Sequence, residues 1–187
     1  MKLYLLIFSL FATSVQAQAP GQNVDILPRG EEAIYKAEFK ITGTTINGFL
    51  AVNHKKNDVL HVSFTSPMGN NLLEMRWKNG RWKKIYAVDK LGSRHLFGMM
   101  AEDILLLFAH YQYDQKFVDL GDEWKWQKKT LFPVFEDGKL ASVKVSGRRH
   151  HPSKTVSYTH GEDCVEEMSI EHQGFPFSIV LQPLKKK

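Results

Sequence analysis

Alternation of apolar and polar side chains dominates the chain from residue 34 onward. In IYKAEFKI (34–41), Tyr35, Ala37, Phe39 and Ile41 share one side while Lys36, Glu38 and Lys40 share the other. That period of two is the signature of a strand with one wet face. The pattern returns at 45–52, 59–65, 71–77 and 81–88, and later at 123–129, 131–136, 139–147, 154–160, 164–172 and 175–182. Turn-formers punctuate it: Thr42-Gly43-Thr44, the polar run 54–58, Ser66-Pro67-Met68-Gly69-Asn70, Asn79-Gly80, Asp137-Gly138, Gly161 and Gln173-Gly174. Asn-Gly between alternating runs is a favoured two-residue hairpin turn. About eleven short antiparallel strands are therefore expected.

One segment breaks the pattern. GMMAEDILLLF (98–108) confines its charge to Glu102 and Asp103 and is apolar almost everywhere else. Wound as a helix it is apolar on most sides, which calls for burial on most sides. It is too short to span a bilayer, which takes about 20 apolar residues. A sheet of so many strands avoids long bare edges by curling, and its concave side must be filled. The expected fold is thus mainly β, a curved antiparallel sheet forming an incomplete barrel, with this helix plugging or lidding the concave face. Glu102 and Asp103 are read as favourable to the dipole near a helix start and as the stripe that meets water. Residues 110–122 fit either a helix tail followed by a loop or a short second helix.

The ends bear on location. Lys2, the apolar run 3–12 and the small residues Val15 and Ala17 make residues 1–17 a secretory signal peptide. Residues 18–32 read as a loose leader, and 33–187 as a single domain of ordinary size. Losing Lys2 with the signal lowers the net charge of +5 to +4, part of which is the terminal Lys185–Lys187 run, a solvated tail or a weak attraction to anionic lipid or an acidic partner. The single cysteine, Cys164, allows no internal disulfide, and no cysteine stands at the cleavage site to be acylated. A periplasmic protein is expected, with secretion as the alternative. There is no stable membrane insertion and no nucleic-acid motif.

Candidate chemistry adds little. The eight histidines include the adjacent His150-His151, but no H-x-x-x-H or C-x-x-C spacing points to zinc. Cys164 sits in GEDCVEE, where acidic neighbours disfavour a thiolate, and there is no G-x-S-x-G. No catalytic activity, cofactor or metal is expected. Apolar side chains are plentiful, with twelve Phe, four Trp, six Tyr and six Met. Methionines on a Leu-rich helix adapt to variable apolar ligands, and a curved sheet with such a helix offers a concave hydrophobic site. The expected lining is Leu60, Phe64, Leu73, Met75, Met99, Met100, Leu106 and Leu107, although alternation leaves open which strand face is concave. A tightly packed interior with no room for a ligand is the competing reading.

The stretch 46–108, with INGFLAV, LHVSFTSPMGNNLLEMRWKNGRWKKIYAV and AEDILLLF, resembles the periplasmic lipoprotein carrier and outer-membrane lipoprotein receptor superfamily, the LolA/LolB type. The shared features are a strand ending in a Pro-x-Gly turn, an Asn-Gly-type hairpin, and a Leu-rich helix with an acidic start. The resemblance covers about a third of the chain. It implies an incomplete barrel lidded by helices whose cavity receives acyl chains of lipids or lipoproteins, with envelope proteins as further partners. The missing N-terminal cysteine departs from the lipid-anchored receptor branch and points to the soluble carrier side. Arg94, just before the helix, is the candidate for the lid-controlling arginine of the carriers. The alternative is a non-enzymatic envelope binding or scaffold module with a filled core, acting through protein–protein contacts.

Overall fold

The computed structural model describes residues 30–55, 59–79, 81–108, 118–119, 123–126, 129–137, 139–146, 154–162 and 164–184. The expected signal peptide, most of the leader, His150-His151 and the terminal lysines lie outside these residues. In chain order the elements are β1 (Glu32–Ile41), β2 (Thr44–Lys55), β3 (Val59–Thr65), β4 (Asn71–Lys78), β5 (Arg81–Ala87), α1 (Asp89–Gly92) and α2 (Arg94–Leu107). There follow β6 (Val118–Asp119), β7 (Trp124–Trp126), β8 (Lys129–Glu136), β9 (Lys139–Ser146), β10 (Lys154–His160), β11 (Val165–His172) and β12 (Phe177–Pro183). One antiparallel sheet takes in twelve strands in the order β5-β4-β3-β2-β1-β12-β11-β10-β9-β8-β7-β6. Its ends, β5 and β6, are not paired with each other, so the sheet is open.

The turns follow from local chemistry. Thr42 and Gly43 both take positive φ (45° and 80°) between the partners Ile41 and Thr44, the geometry of a two-residue hairpin. Ser66 closes the next tight turn, its carbonyl accepting from Gly69 N–H at 2.9 Å and its hydroxyl from Asn70 N–H at 3.1 Å.

The sheet curls around α2. Nine strand spacings of about 4.8 Å would hold β5 and β8 roughly 43 Å apart in a flat sheet, yet both reach neighbouring turns of the same helix. Lys84 of β5 lies over the Phe97 ring at 5.8 Å, and Lys129 of β8 bonds Glu102. Devices that bend strands are present along the way. Register shifts occur in β3–β4 at Phe64/Thr65, in β4–β5 at Glu74/Met75, in β8–β9 at Val134/Phe135 and in β10–β11 at Thr159/His160; such bulges sharpen the local twist. In β2, a Cβ at Gly48 would land on the Thr65 carbonyl oxygen and the Phe64 ring, so glycine alone permits this close approach.

The helix starts four residues earlier than the apolar pattern predicts. Ser93 caps it, its Oγ accepting from Leu96 N–H at 3.3 Å, and Gly98 is accommodated on its exposed side, where a Cβ would meet nothing. A short helix, α1, precedes α2. Residues 109–117 and 120–122 lie outside the described residues, and Val118–Asp119 adds a twelfth strand to the expected eleven. The expected strand at 123–129 divides, its last residue opening β8. Among the described residues no helix is long and apolar enough to cross a membrane.

Candidate functional site

One face of every long strand from β1 to β4 and from β9 to β12 is buried with α2 in a single apolar cluster. The register puts Phe64 opposite Leu73, Val62 opposite Met75 and Leu60 opposite Trp77. The four strand residues expected to line the site, Leu60, Phe64, Leu73 and Met75, therefore share the inner face of β3 and β4, and all are fully buried. From α2, Met100, Leu106 and Leu107 are buried beside them and Met99 is half-buried. Phe64 packs on Phe39 with ring centroids 4.5 Å apart, and Phe108, just past the helix, meets Tyr35 edge-on at 5.7 Å. Arg94 is the first residue of α2 and is exposed. A cation there opposes the helix dipole.

The other side of α2 is polar. Asp103 has no exposed surface; its Oδ1 accepts from Lys154 Nζ at 2.6 Å and its Oδ2 from His172 Nε2–H at 2.7 Å. Lys154 Nζ also donates to Glu102 Oε1 at 2.7 Å, and Lys129 bonds the same oxygen. Side-chain exposure is 9% for Lys154 and 1% for His172. Two ammonium groups thus face two carboxylates around an imidazole, with Asp103, Lys154 and His172 inside an otherwise apolar interior and Lys129 and Glu102 at its edge. Rings close it off, with Phe175 and Phe177 standing edge-on to His172 at 6.4 and 5.3 Å. His172 Nδ1 is buried, and among the described residues it has no hydrogen-bond partner.

Burial alone would raise the Glu102 pKa, but Lys154 and Lys129 outweigh it and the carboxyl is held below the usual glutamate range. The Tyr158 hydroxyl stands 3.4 and 3.5 Å from the Leu106 and Leu107 carbonyls, at the end of α2 where carbonyls lack helical partners. Burial pushes the phenols of Tyr158 and Tyr35 up.

This arrangement corrects the expectation for Glu102 and Asp103. Because α2 begins at Arg94, the pair lies past mid-helix, beyond the reach of the N-terminal dipole. The water-facing stripe is Arg94, His95 and Gly98 with Glu102 at its margin, whereas Asp103, about 100° further round, points inward. Lys154 and His172 lie outside the expected site although alternation marks both. Lys154 shares a face with Val156 and Tyr158, and His172 shares one with Met168 and Ile170. A charge in phase with a buried apolar row is a charge brought inside.

Other candidates fall elsewhere. His61 is on the outer face and bonds Glu74 at 2.9 Å, and His160 Nε2 donates to the Leu140 carbonyl at 2.8 Å. Cys164 is exposed just before β11. Among the described residues no three His, Cys, Asp or Glu side chains converge to hold a metal ion.

Fold and site together define a class: an open antiparallel sheet wrapped on one helix, apolar on one flank of the helix and ionic on the other. Neither a protein-family model nor a curated protein matches this chain.

Proposed function

We propose that the protein binds acyl chains of lipids or lipoproteins between α2 and the sheet, as a carrier of the LolA/LolB kind exported to the periplasm by the signal peptide at residues 1–17. The observation that carries this reading is the unclosed sheet wrapped on a Met- and Leu-rich helix. All eight expected lining residues turn toward that shared interior. No bond is made or broken. Each methylene sheltered there contributes about 0.8 kcal/mol, so a long chain is held reversibly once α2 gives way.

The ionic cluster supports α2 as the moving part. Ion pairs buried in apolar surroundings have lost hydration that their mutual attraction only partly restores. Lifting α2 returns Asp103 and Lys154 to water, which offsets part of the cost of parting apolar surfaces.

Delipidated protein titrated with a fluorescent long-chain fatty acid, and with a diacylated lipopeptide, tests the reading. Saturable uptake at micromolar concentration that strengthens with chain length is expected; no uptake of either ligand overturns it. A filled-core docking module is the second reading, favoured by the near-complete burial of seven of the eight lining side chains. Under that reading neither ligand is taken up and the protein acts through its outer surface.

A further inference from the structure

The outer face of the sheet is electrically lopsided. On that face strands β2–β5 carry Lys55, Arg76, Lys78, Arg81 and Lys83 against one carboxylate, Glu74, while Lys84 stands on the inner face opposite Met75 and donates to the Gly92 carbonyl at 2.7 Å. Strands β10–β12 carry Glu166, Glu167 and Glu171 against the inward-turned Lys154. On the basic side, like charges stand directly opposite one another: Arg76 pairs with Lys83, and Lys78 with Arg81. All four are exposed, and among the described residues none has an acidic partner. The one nearby carboxylate, Glu74, is engaged by His61 at 2.9 Å and by Asn71 at 3.4 Å.

Like charges directly opposite in a sheet are destabilising, so such a face calls for an explanation. Protection of the bare edge strand β5 accounts for lysines on β5 itself. It does not account for Arg76 and Lys78, which stand one strand inward. Beside the cations, Tyr86 and Ile85, the latter the extra residue of the β4–β5 bulge, are 45% and 46% exposed. A tyrosine and an aliphatic side chain among unpaired lysines and arginines suit a membrane–water interface, where cations meet phosphates and apolar groups enter the headgroup layer. An acidic protein surface would answer the charge but leave Ile85 and Tyr86 unused.

We infer that the outer face of β4–β5 docks on an anionic phospholipid bilayer. The charge separation across the sheet turns that face toward a negative surface and the β11 carboxylates away from it. The inference does not depend on the interior taking a ligand.

Co-sedimentation of the purified protein with phosphatidylglycerol vesicles, against phosphatidylcholine vesicles, tests it. Binding to the anionic vesicles alone is expected, weakening as salt shortens the screening length. Each cation near such a surface contributes about 1 kcal/mol, so Arg76→Gln and Lys83→Gln should each weaken binding roughly fivefold. The same substitutions remove a like-charge pair, so melting temperature should hold or rise. A variant that loses binding while keeping its melting point separates docking from folding. Equal binding to both vesicles, binding unchanged in the two variants, or binding abolished by removing Lys185–Lys187 alone would each refute the proposal. So would an absence of vesicle binding alongside Arg76-dependent binding to polyglutamate, which assigns the face to an acidic protein.

Discussion

Helix α2 has two unlike flanks. Toward β1–β4 it meets side chains such as Phe39, Phe64 and Met75 through contacts that are non-directional and tolerate sliding. Toward β8, β10 and β11 it meets Lys129, Lys154 and His172 through charged hydrogen bonds that fix atoms to within a few tenths of an ångström. The apolar flank supplies most of the burial, while the ionic flank decides where along the sheet the helix stops. A helix held only by the first would have many near-equivalent positions. Both together give one position and one place at which it can be released.

The sharpest way to break this comparison is to remove the carboxylate at its centre. Asp103→Ala leaves His172 without a partner and Lys154 with Glu102 alone, and loss of one member of a buried ionic group costs roughly 3–5 kcal/mol. Because Lys154 keeps a carboxylate, the lower end is expected, a fall in melting temperature of about 6–12 °C for a chain of this size. Met100→Leu on the opposite flank conserves volume and should cost less than about 1.5 kcal/mol. Calorimetry on both variants checks the contrast. If Asp103→Ala melts like Met100→Leu, the ionic flank does not lock the helix. Adding Lys154→Met to Asp103→Leu should recover much of the loss while leaving the helix position less sharply defined.

How much of this was legible beforehand follows from which signals are local. Alternation located the long strands because Tyr35, Phe39, Leu50 and Val62 repeat at the period that burial requires. Asn79-Gly80 and Thr42-Gly43 marked turns because positive φ is a property of single residues. The inner face of β3 and β4 needed the structure, since it depends on which side meets α2. The apolar run marks α2 only from residue 98, whereas the helix begins where it is capped, at Ser93. The ionic cluster is hidden for a different reason. Asp103 stands 51 and 69 residues from its partners Lys154 and His172, so no local window contains it with either, although Lys154 and His172 face each other across β10 and β11. Each was nonetheless out of place on an apolar face, and three such misfits in one chain are grounds to look for each other.

The bend that brings the two flanks together is open to a smaller test. Gly48 lies where β2 approaches Thr65 and Phe64 too closely for any side chain. Gly48→Ala must push the strands apart, an overpacking cost of about 1–3 kcal/mol. If the strain opens the curl, it separates β5 from the helix before it disturbs β10 and β11. Hydrogen exchange should then show loss of protection in β2–β5 with β10–β12 unchanged. Uniform loss of protection would mean that the two halves of the sheet do not respond separately.

The smallest expected effect concerns Glu102, at the water-facing margin of the ionic flank. Its carboxyl is held below the ordinary value of 4.5 in the folded protein, chiefly because Lys154 and Lys129 overcome the effect of burial. A carboxyl whose folded pKa is depressed contributes stability that is fully present above its unfolded value and is lost as pH falls through the folded one. Glu102→Gln should therefore lower the melting temperature at neutral pH and converge with the parent protein as pH drops below about 4.5, the ordinary value. Melting curves from pH 7 to pH 3 give the comparison. A difference that persists unchanged at the acid end would mean that Glu102 acts by shape rather than charge. The ionic flank would then reduce to Asp103 and its two partners.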